Sequence, residues 1–191
     1  MNLYKRIIEI IDANLIHCLI PIILTLIVIE LLFKKRFATK KVLHLICWII
    51  ILYSIITWTY SLAGMIFYPE EFAFIERATG SYSWAYWTMF LSGLILPFAL
   101  FIKKISSNFY YVLFVAIFMK IGFYFERFVI MVTIFHREYG TERENTEFTE
   151  SLPFAILMLF IQGIIIAIIL LSIFEIIKKK RIKGQSFLND L

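Results

Sequence analysis

The chain alternates between long apolar runs and short polar segments. Each apolar run carries few or no charges and is long enough to cross about 30 Å of hydrocarbon as an α-helix. The runs cover residues 10–33, 42–67, 82–102, 108–136 and 153–177. This pattern predicts an all-α integral membrane protein with five transmembrane helices, forming a single membrane domain over residues 1–191. Residues 3–14 alternate polar positions with pairs of Ile, which favours a short interfacial helix leading into the first span.

The amino-acid composition supports a membrane protein and excludes other classes of protein. Hydrophobic residues make up 61% of the chain and charged residues 17%, whereas soluble domains are about 45–50% apolar. The sequence therefore excludes a water-soluble chain and a disordered one. The only two cysteines, Cys18 and Cys47, lie inside apolar runs, so we expect neither a disulfide framework nor a metal site within this chain.

Basic and acidic residues are distributed unequally among the connecting segments. Lys and Arg concentrate in segments 34–41, 103–104 and 178–183, whereas most carboxylates, Asp12 included, are assigned to the opposite side. Because Lys and Arg are retained on the cytoplasmic side, the amino terminus is predicted outside and residues 178–191 form a basic cytoplasmic tail. The net charge of +5 follows from this sidedness, so the expected partner is the lipid bilayer and not a nucleic acid.

The fourth predicted span carries charged residues where lipid is unfavourable. Lys120, Glu126 and Arg127 would each cost about 3 kcal/mol in hydrocarbon, so they must face protein or water. Tyr124 shares a helical stripe with Lys120, and Gln162 of the last span lies at about the depth of Glu126. No carboxylate of the chain is predicted at the depth of Lys120. Lys120 is therefore expected to be neutral, hydrated or paired with an acid of a partner subunit.

Two interpretations of these buried charges remain open. They are either parts of a proton path or members of a static network that joins the helices. A stripe of polar and small residues along the second span could line a polar pocket beside them, comprising Tyr53, Thr57, Tyr60, Ser61 and Gly64.

Two segments resemble a known family. Residues 76–87 read ERATGSYSWAYW, and residues 121–130 read IGFYFERFVI before His136. Together they resemble the polysulfide-reductase membrane-subunit (NrfD-like) family, and most of all the quinol-oxidising membrane subunits of bacterial alternative complex III. The resemblance covers roughly residues 50–139 and corresponds only to the carboxyl-terminal half of such subunits. The matching positions to test are Glu76, Arg77, Trp84, Tyr86, Glu126, Arg127 and His136.

The resemblance implies a multi-pass subunit of a quinone-linked respiratory oxidoreductase in the bacterial inner membrane. Its partners would be other membrane subunits and outer-face iron–sulfur or haem subunits. Because the family places its quinone site in the other half, this chain is expected to bind no cofactor alone and not to be catalytic alone. Quinone would bind in the assembled complex. The alternatives are a non-catalytic membrane anchor or assembly factor, and a small channel or transporter suggested by the polar stripe.

Overall fold

The structure is a computed structural model that describes residues 2–34, 36–67, 74–80, 83–121, 124–125, 132 and 142–189. All regular secondary structure within these ranges is helical. A π-helical turn, Asp12–Ile16, follows the first helix. The α-helices in chain order are α1 (Asn2–Ile11), α2 (Leu19–Phe33), α3 (Thr39–Phe67), α4 (Phe74–Thr79), α5 (Ser83–Ala99), α6 (Lys103–Ser106), α7 (Phe109–Met119) and α8 (Glu142–Asn189).

Three helical segments are long and apolar enough to cross a membrane. They are Arg6–Phe33, which includes the π-turn, Thr39–Phe67, and Phe154–Lys180 within α8, with lengths of 28, 29 and 27 residues. The prediction of an all-helical membrane protein is confirmed at this level. In the predicted spans 82–102 and 108–136, the described helices are shorter: α5 has 17 residues and α7 has 11. Most of the predicted fourth span beyond residue 121 lies outside the described residues.

The core lies where α2 packs against α3, α7 and α8. It consists of aliphatic side chains because these helices are apolar around most of their circumference, which suits helices that contact protein on one side and lipid on the other. The outward side of α8 exposes Ile165, Ile168 and Ile169. The largest fully buried aliphatic side chains are Ile16, Leu19, Ile22, Ile23, Leu26, Val42, Leu43, Ile46, Ile50, Val112 and Val115.

Two contacts connect helices next to the predicted basic segments. The Ala38 backbone N–H donates to the Glu175 carboxylate at 2.9 Å, which joins the segment after α2 to α8. Trp48, the tenth residue of α3, packs against Phe101 with ring centroids 6.0 Å apart, which joins α3 to the segment before α6. The side of the membrane on which the basic segments lie stays a prediction. Most of the predicted basic tail, residues 178–191, belongs to α8, which continues as a helix to Asn189.

Proline explains why the first span is interrupted. Pro21 has no N–H, and its ring excludes the carbonyl of the residue four positions earlier, which is His17. The preceding turn is wider: the His17 N–H donates to the Asp12 carbonyl at 3.0 Å, a five-residue step. Regular bonding resumes when the Ile22 N–H donates to the Cys18 carbonyl at 3.0 Å. The polar residues of the π-turn consequently lie at a discontinuity inside the span.

Candidate functional site

A buried ion pair joins the π-turn to the end of α7. The Lys120 Nζ ammonium contacts Asp12 Oδ1, and the two side chains are only 13% and 25% exposed. The Tyr53 hydroxyl of α3 donates to the same carboxylate oxygen at 2.6 Å. The Lys120 ammonium also lies 6.0 Å from the centroid of the Tyr53 ring. An acid, a base and a phenol from three helical elements therefore meet at one point.

This contact corrects the sequence interpretation of Lys120. The prediction that no carboxylate of this chain reaches Lys120 is wrong, because Asp12 pairs with it. Asp12 was assigned to the outer connections and to an interfacial helix. The structure places it in the long helical segment Arg6–Phe33, about 9 Å from Arg6 by helix rise. The acid that Lys120 requires therefore comes from the first span and not from a partner subunit.

Lys120 also occupies a helix discontinuity. It ends α7 with φ −109° and ψ 11°, and its N–H donates to the carbonyls of Ile117 and Phe118. The Tyr124 N–H donates to the Lys120 carbonyl at 3.0 Å, so helical bonding reappears after it. A cation at the carboxyl end of a helix is favoured by the helix dipole. A break in a membrane helix is tolerated where protein or a water-lined cavity surrounds it. Here the break at Lys120 lies against the break at the π-turn, because Lys120 contacts Asp12.

Two further side chains complete the surroundings of the π-turn. His17 Nδ1 lies 2.7 Å from the Asp12 carbonyl oxygen and 3.9 Å from Asp12 Oδ2. On the α8 side, the Gln162 amide donates to the Asn14 carbonyl at 3.3 Å and lies 3.4 Å from Asn14 Oδ1. Gln162 thus joins α8 to the π-turn, while its expected neighbour Glu126 lies outside the described residues. The π-turn contacts α3, α7 and α8 through polar groups.

A polar cleft adjoins the ion pair. It has a volume of about 210 Å³ and lies between α3, α5 and α7. The predicted stripe contributes Tyr53, Thr57 and Ser61 to its wall, but the sequence interpretation missed Ser54 and Trp58 on the same helix. Both positions follow from helical spacing, since 54, 58 and 61 recur at three- and four-residue intervals. The lining residues are Tyr53, Ser54, Thr57, Trp58, Ser61, Met89, Gly93, Met119 and Lys120.

The remaining predicted residues lie on α4, on α5 and in the segment after α7, or outside the described part of the chain. Glu76 and Arg77 belong to α4. Trp84 is 69% exposed on α5, and the Tyr86 ring lies 6.0 Å from those of Trp87 and Phe90. Tyr124 is 36% exposed. Glu126, Arg127 and His136 lie outside the described residues, so their predicted roles stay predictions.

The carboxylates near the basic end have local partners. Glu30 accepts a hydrogen bond from the Thr39 hydroxyl. Glu175 accepts from the Ala38 N–H, and its carboxylate lies 3.7 Å from the Lys178 ammonium. Both carboxylates therefore accept hydrogen bonds within the chain, and Glu175 also lies near a lysine.

A metal ion has no candidate site in the described residues, since no three His, Cys, Asp or Glu side chains are grouped there to hold one.

No protein-family model, curated protein or solved structure matches this chain. The fold and site therefore define an all-helical chain with candidate membrane spans and a part-buried ion pair at a break in the first of them. Asp12 there contacts both the Lys120 ammonium and the Tyr53 hydroxyl.

Proposed function

We propose that this protein is an integral membrane subunit with a proton-transfer centre formed by Asp12, Lys120 and Tyr53. The observation that carries the proposal is the Asp12–Lys120 ion pair, which joins the first candidate span to the end of α7. Ionisable residues in membrane spans are costly and are retained chiefly where they serve ion or proton movement. The shared hydrogen bonds to Asp12 Oδ1 supply a direct path for a proton between the three groups.

The complex that this subunit serves is proposed to be a quinone-linked respiratory electron-transfer complex of the bacterial inner membrane. The support is the resemblance of residues 76–87 and 121–130 to the NrfD-like family. In this arrangement the chain contributes a helix bundle, a docking surface and a proton route. Quinone, iron–sulfur and haem groups belong to the assembled complex and to partner subunits. The exposed Trp84 beside α4 is suited to a docking surface because aromatic residues are enriched at interfaces.

We further propose five membrane crossings, with α5 and α7 in the third and fourth and the amino terminus outside. The support is the concentration of Lys and Arg in segments 34–41, 103–104 and 178–183, as insertion requires. Single cysteines introduced at Thr79 and Lys103 test this topology. A membrane-impermeant thiol reagent should label Thr79→Cys from the outside and Lys103→Cys only after the membrane is opened. Labelling of both from one side would contradict it.

The function is tested in the assembled complex extracted with its partners and reconstituted into vesicles. Asp12→Asn and Lys120→Met should lower the number of protons moved per electron while electron transfer continues. Glu175→Gln is the matched control, because it neutralises a carboxylate near the basic end, away from the ion pair. Unchanged proton yield in both centre variants would refute the proton-transfer role.

A second candidate function is that of a non-catalytic anchor or assembly factor. It is favoured because the two charges of the ion pair compensate each other within this chain. Asp12 and Lys120 neutralise one another and hold the first span against α7, as a static lock would. In that case the same variants should lower the amount of assembled complex without altering turnover per complex. Quantifying the complex before each activity measurement separates the two functions.

A further inference from the structure

The polar cleft beside the ion pair contains an unusual buried hydroxyl. Ser54 is only 2% exposed, and its Oγ has no hydrogen-bond partner among the described residues. Ser54 lines the cleft of about 210 Å³ that Lys120 also lines. Buried polar groups are nearly always satisfied, by protein or by ordered water, because leaving one unpaired is costly. The hydroxyl therefore indicates a partner that occupies the cleft.

Water fits this cleft better than an apolar occupant. A water molecule takes up about 30 Å³ in the liquid and needs two to four polar partners. The cleft has room for several such molecules, and its polar groups come from Lys120 at the end of α7 and from Ser54, Thr57 and Ser61 on α3. The hydroxyl of Thr57 already donates to the Tyr53 carbonyl at 2.8 Å, which leaves its oxygen available to accept.

We propose that this cleft is a hydrated chamber whose ordered water connects Lys120 with the hydroxyls of Ser54, Thr57 and Ser61. Its role as a proton path rests on the proposed function, whereas its hydration does not. A proton that leaves the Lys120 ammonium bonds to a neighbouring water oxygen, and that water releases one of its own protons to the next molecule. Each water of the chain again holds two protons after the transfer. The Asp12 carboxylate then takes up a proton from solvent, since its side chain is 25% exposed, and passes it to the neutral Lys120 amine, which restores both charges.

Hydroxyl-radical footprinting of the protein in lipid nanodiscs tests the hydration directly. Radicals formed from water by X-rays oxidise side chains that contact water, and Met89 and Met119 line the cleft. Met158 on α8 is the reference, since it is 47% exposed but lies in the lipid-facing segment Phe154–Lys180. We expect Met89 and Met119 to be oxidised several-fold faster than Met158. If only lipid surrounded the cleft, Met158 would be oxidised faster than the other two.

Filling the cleft supplies the control. Gly93 lines it, and an added Cβ there would lie 3.6 Å from Trp58 Cζ2, an ordinary contact. Gly93→Leu should therefore lower the oxidation of Met119 several-fold, and Gly93→Ala should lower it less. If Gly93→Leu fails to fold, the alanine variant and the wild-type comparison with Met158 still test whether the cleft contains water.

Three outcomes distinguish this proposal from the proposed function. Oxidation of Met89 and Met119 no faster than that of Met158 overturns the hydrated chamber. A lipid chain or small organic molecule seen in the cleft of a nanodisc structure overturns it as well. Rapid oxidation together with unchanged proton yield in Asp12→Asn overturns the proton path and the proposed function, while the hydration of the cleft stands.

Discussion

Asp12 and Lys120 are 108 positions apart in the sequence, yet their side chains form an ion pair between the π-turn and the end of α7. Tyr53 donates to the same oxygen of Asp12, so one carboxylate binds two helices at once. Asp12 begins the π-turn, and Lys120 follows the last residue of α7. Both charged residues therefore lie at breaks in the regular helical backbone. The pair therefore links the local geometry of the first span to the end of α7.

Removal of either charge should destabilise the protein more than removal of both. Asp12→Asn or Lys120→Met alone leaves an uncompensated buried charge, and we expect each to cost about 3 kcal/mol of unfolding free energy. The double variant should cost clearly less than the sum, because no lone charge remains. Unfolding in detergent micelles, followed by circular dichroism with increasing SDS, measures this. Additive costs would show that the pair does not act as a unit.

Tyr53→Phe should weaken the site while leaving its packing intact. The substitution keeps the ring and removes the hydrogen bond to the Asp12 carboxylate, for an expected loss of about 2 kcal/mol. Tyr110→Phe is the matched control, because that tyrosine is 67% exposed. The same SDS titration compares them. Equal stability of the two variants would mean that the Tyr53 hydroxyl contributes nothing to the site.

Gly163 should be intolerant of a methyl group. A Cβ at this position would lie 2.5 Å from Pro21 Cγ and 3.2 Å from the Cys18 carbonyl, and neither the proline ring nor the backbone yields easily. We expect Gly163→Ala to lower stability by about 1–2 kcal/mol through overpacking between α2 and α8.

Gly93→Ala is the control for this substitution. Its Cβ would make only an ordinary contact with Trp58, so the better helix propensity of Ala should leave stability unchanged or raised. Thermal unfolding in detergent ranks the two variants. A Gly163→Ala protein as stable as the Gly93→Ala protein would contradict the close approach of α2 and α8.

Thr39→Val should loosen the connection between the first two long spans. Thr39 is 1% exposed and donates to the Glu30 carboxylate, so its removal deprives a charged acceptor of a donor at a cost of about 2 kcal/mol. Thr59→Val is the control, since that exposed hydroxyl donates only to the Ile55 carbonyl of its own helix and should change stability by less than about 0.5 kcal/mol. Similar melting temperatures of the two variants would contradict this role of Thr39.

The prediction of an all-helical chain is confirmed, and three of its helices are long and apolar enough to cross a membrane, because both properties depend on local composition. An apolar run such as residues 42–67 must satisfy its backbone internally in lipid, and only a helix achieves this within one segment. The sequence also indicated that Lys120 is a special position, because a lysine within an apolar run needs a partner whatever the tertiary structure. The partner itself was missed. Asp12 lies within two turns of Lys5 and Arg6, which made it resemble an interfacial residue.

One local signal could have located the break in the first span. Pro21 lies inside an apolar run, where its ring and missing N–H disturb the preceding turn and free polar backbone groups. A proline at that position indicates a discontinuity near His17, and a polar residue beside such a break is a candidate site. The wide turn at Asp12–Ile16, however, is known only from the structure.

The sequence by itself determined that the chain is helical, that it has apolar runs long enough to cross a membrane, and that Lys120 requires a compensating group. These properties follow from composition and from the spacing of neighbouring residues. Only the tertiary structure decided that Asp12 is that group, that Gln162 meets Asn14, and that Ser54 faces a cleft. Such contacts depend on which helices lie side by side and at what height, and helix packing depends on the whole set of buried surfaces and not on any one segment.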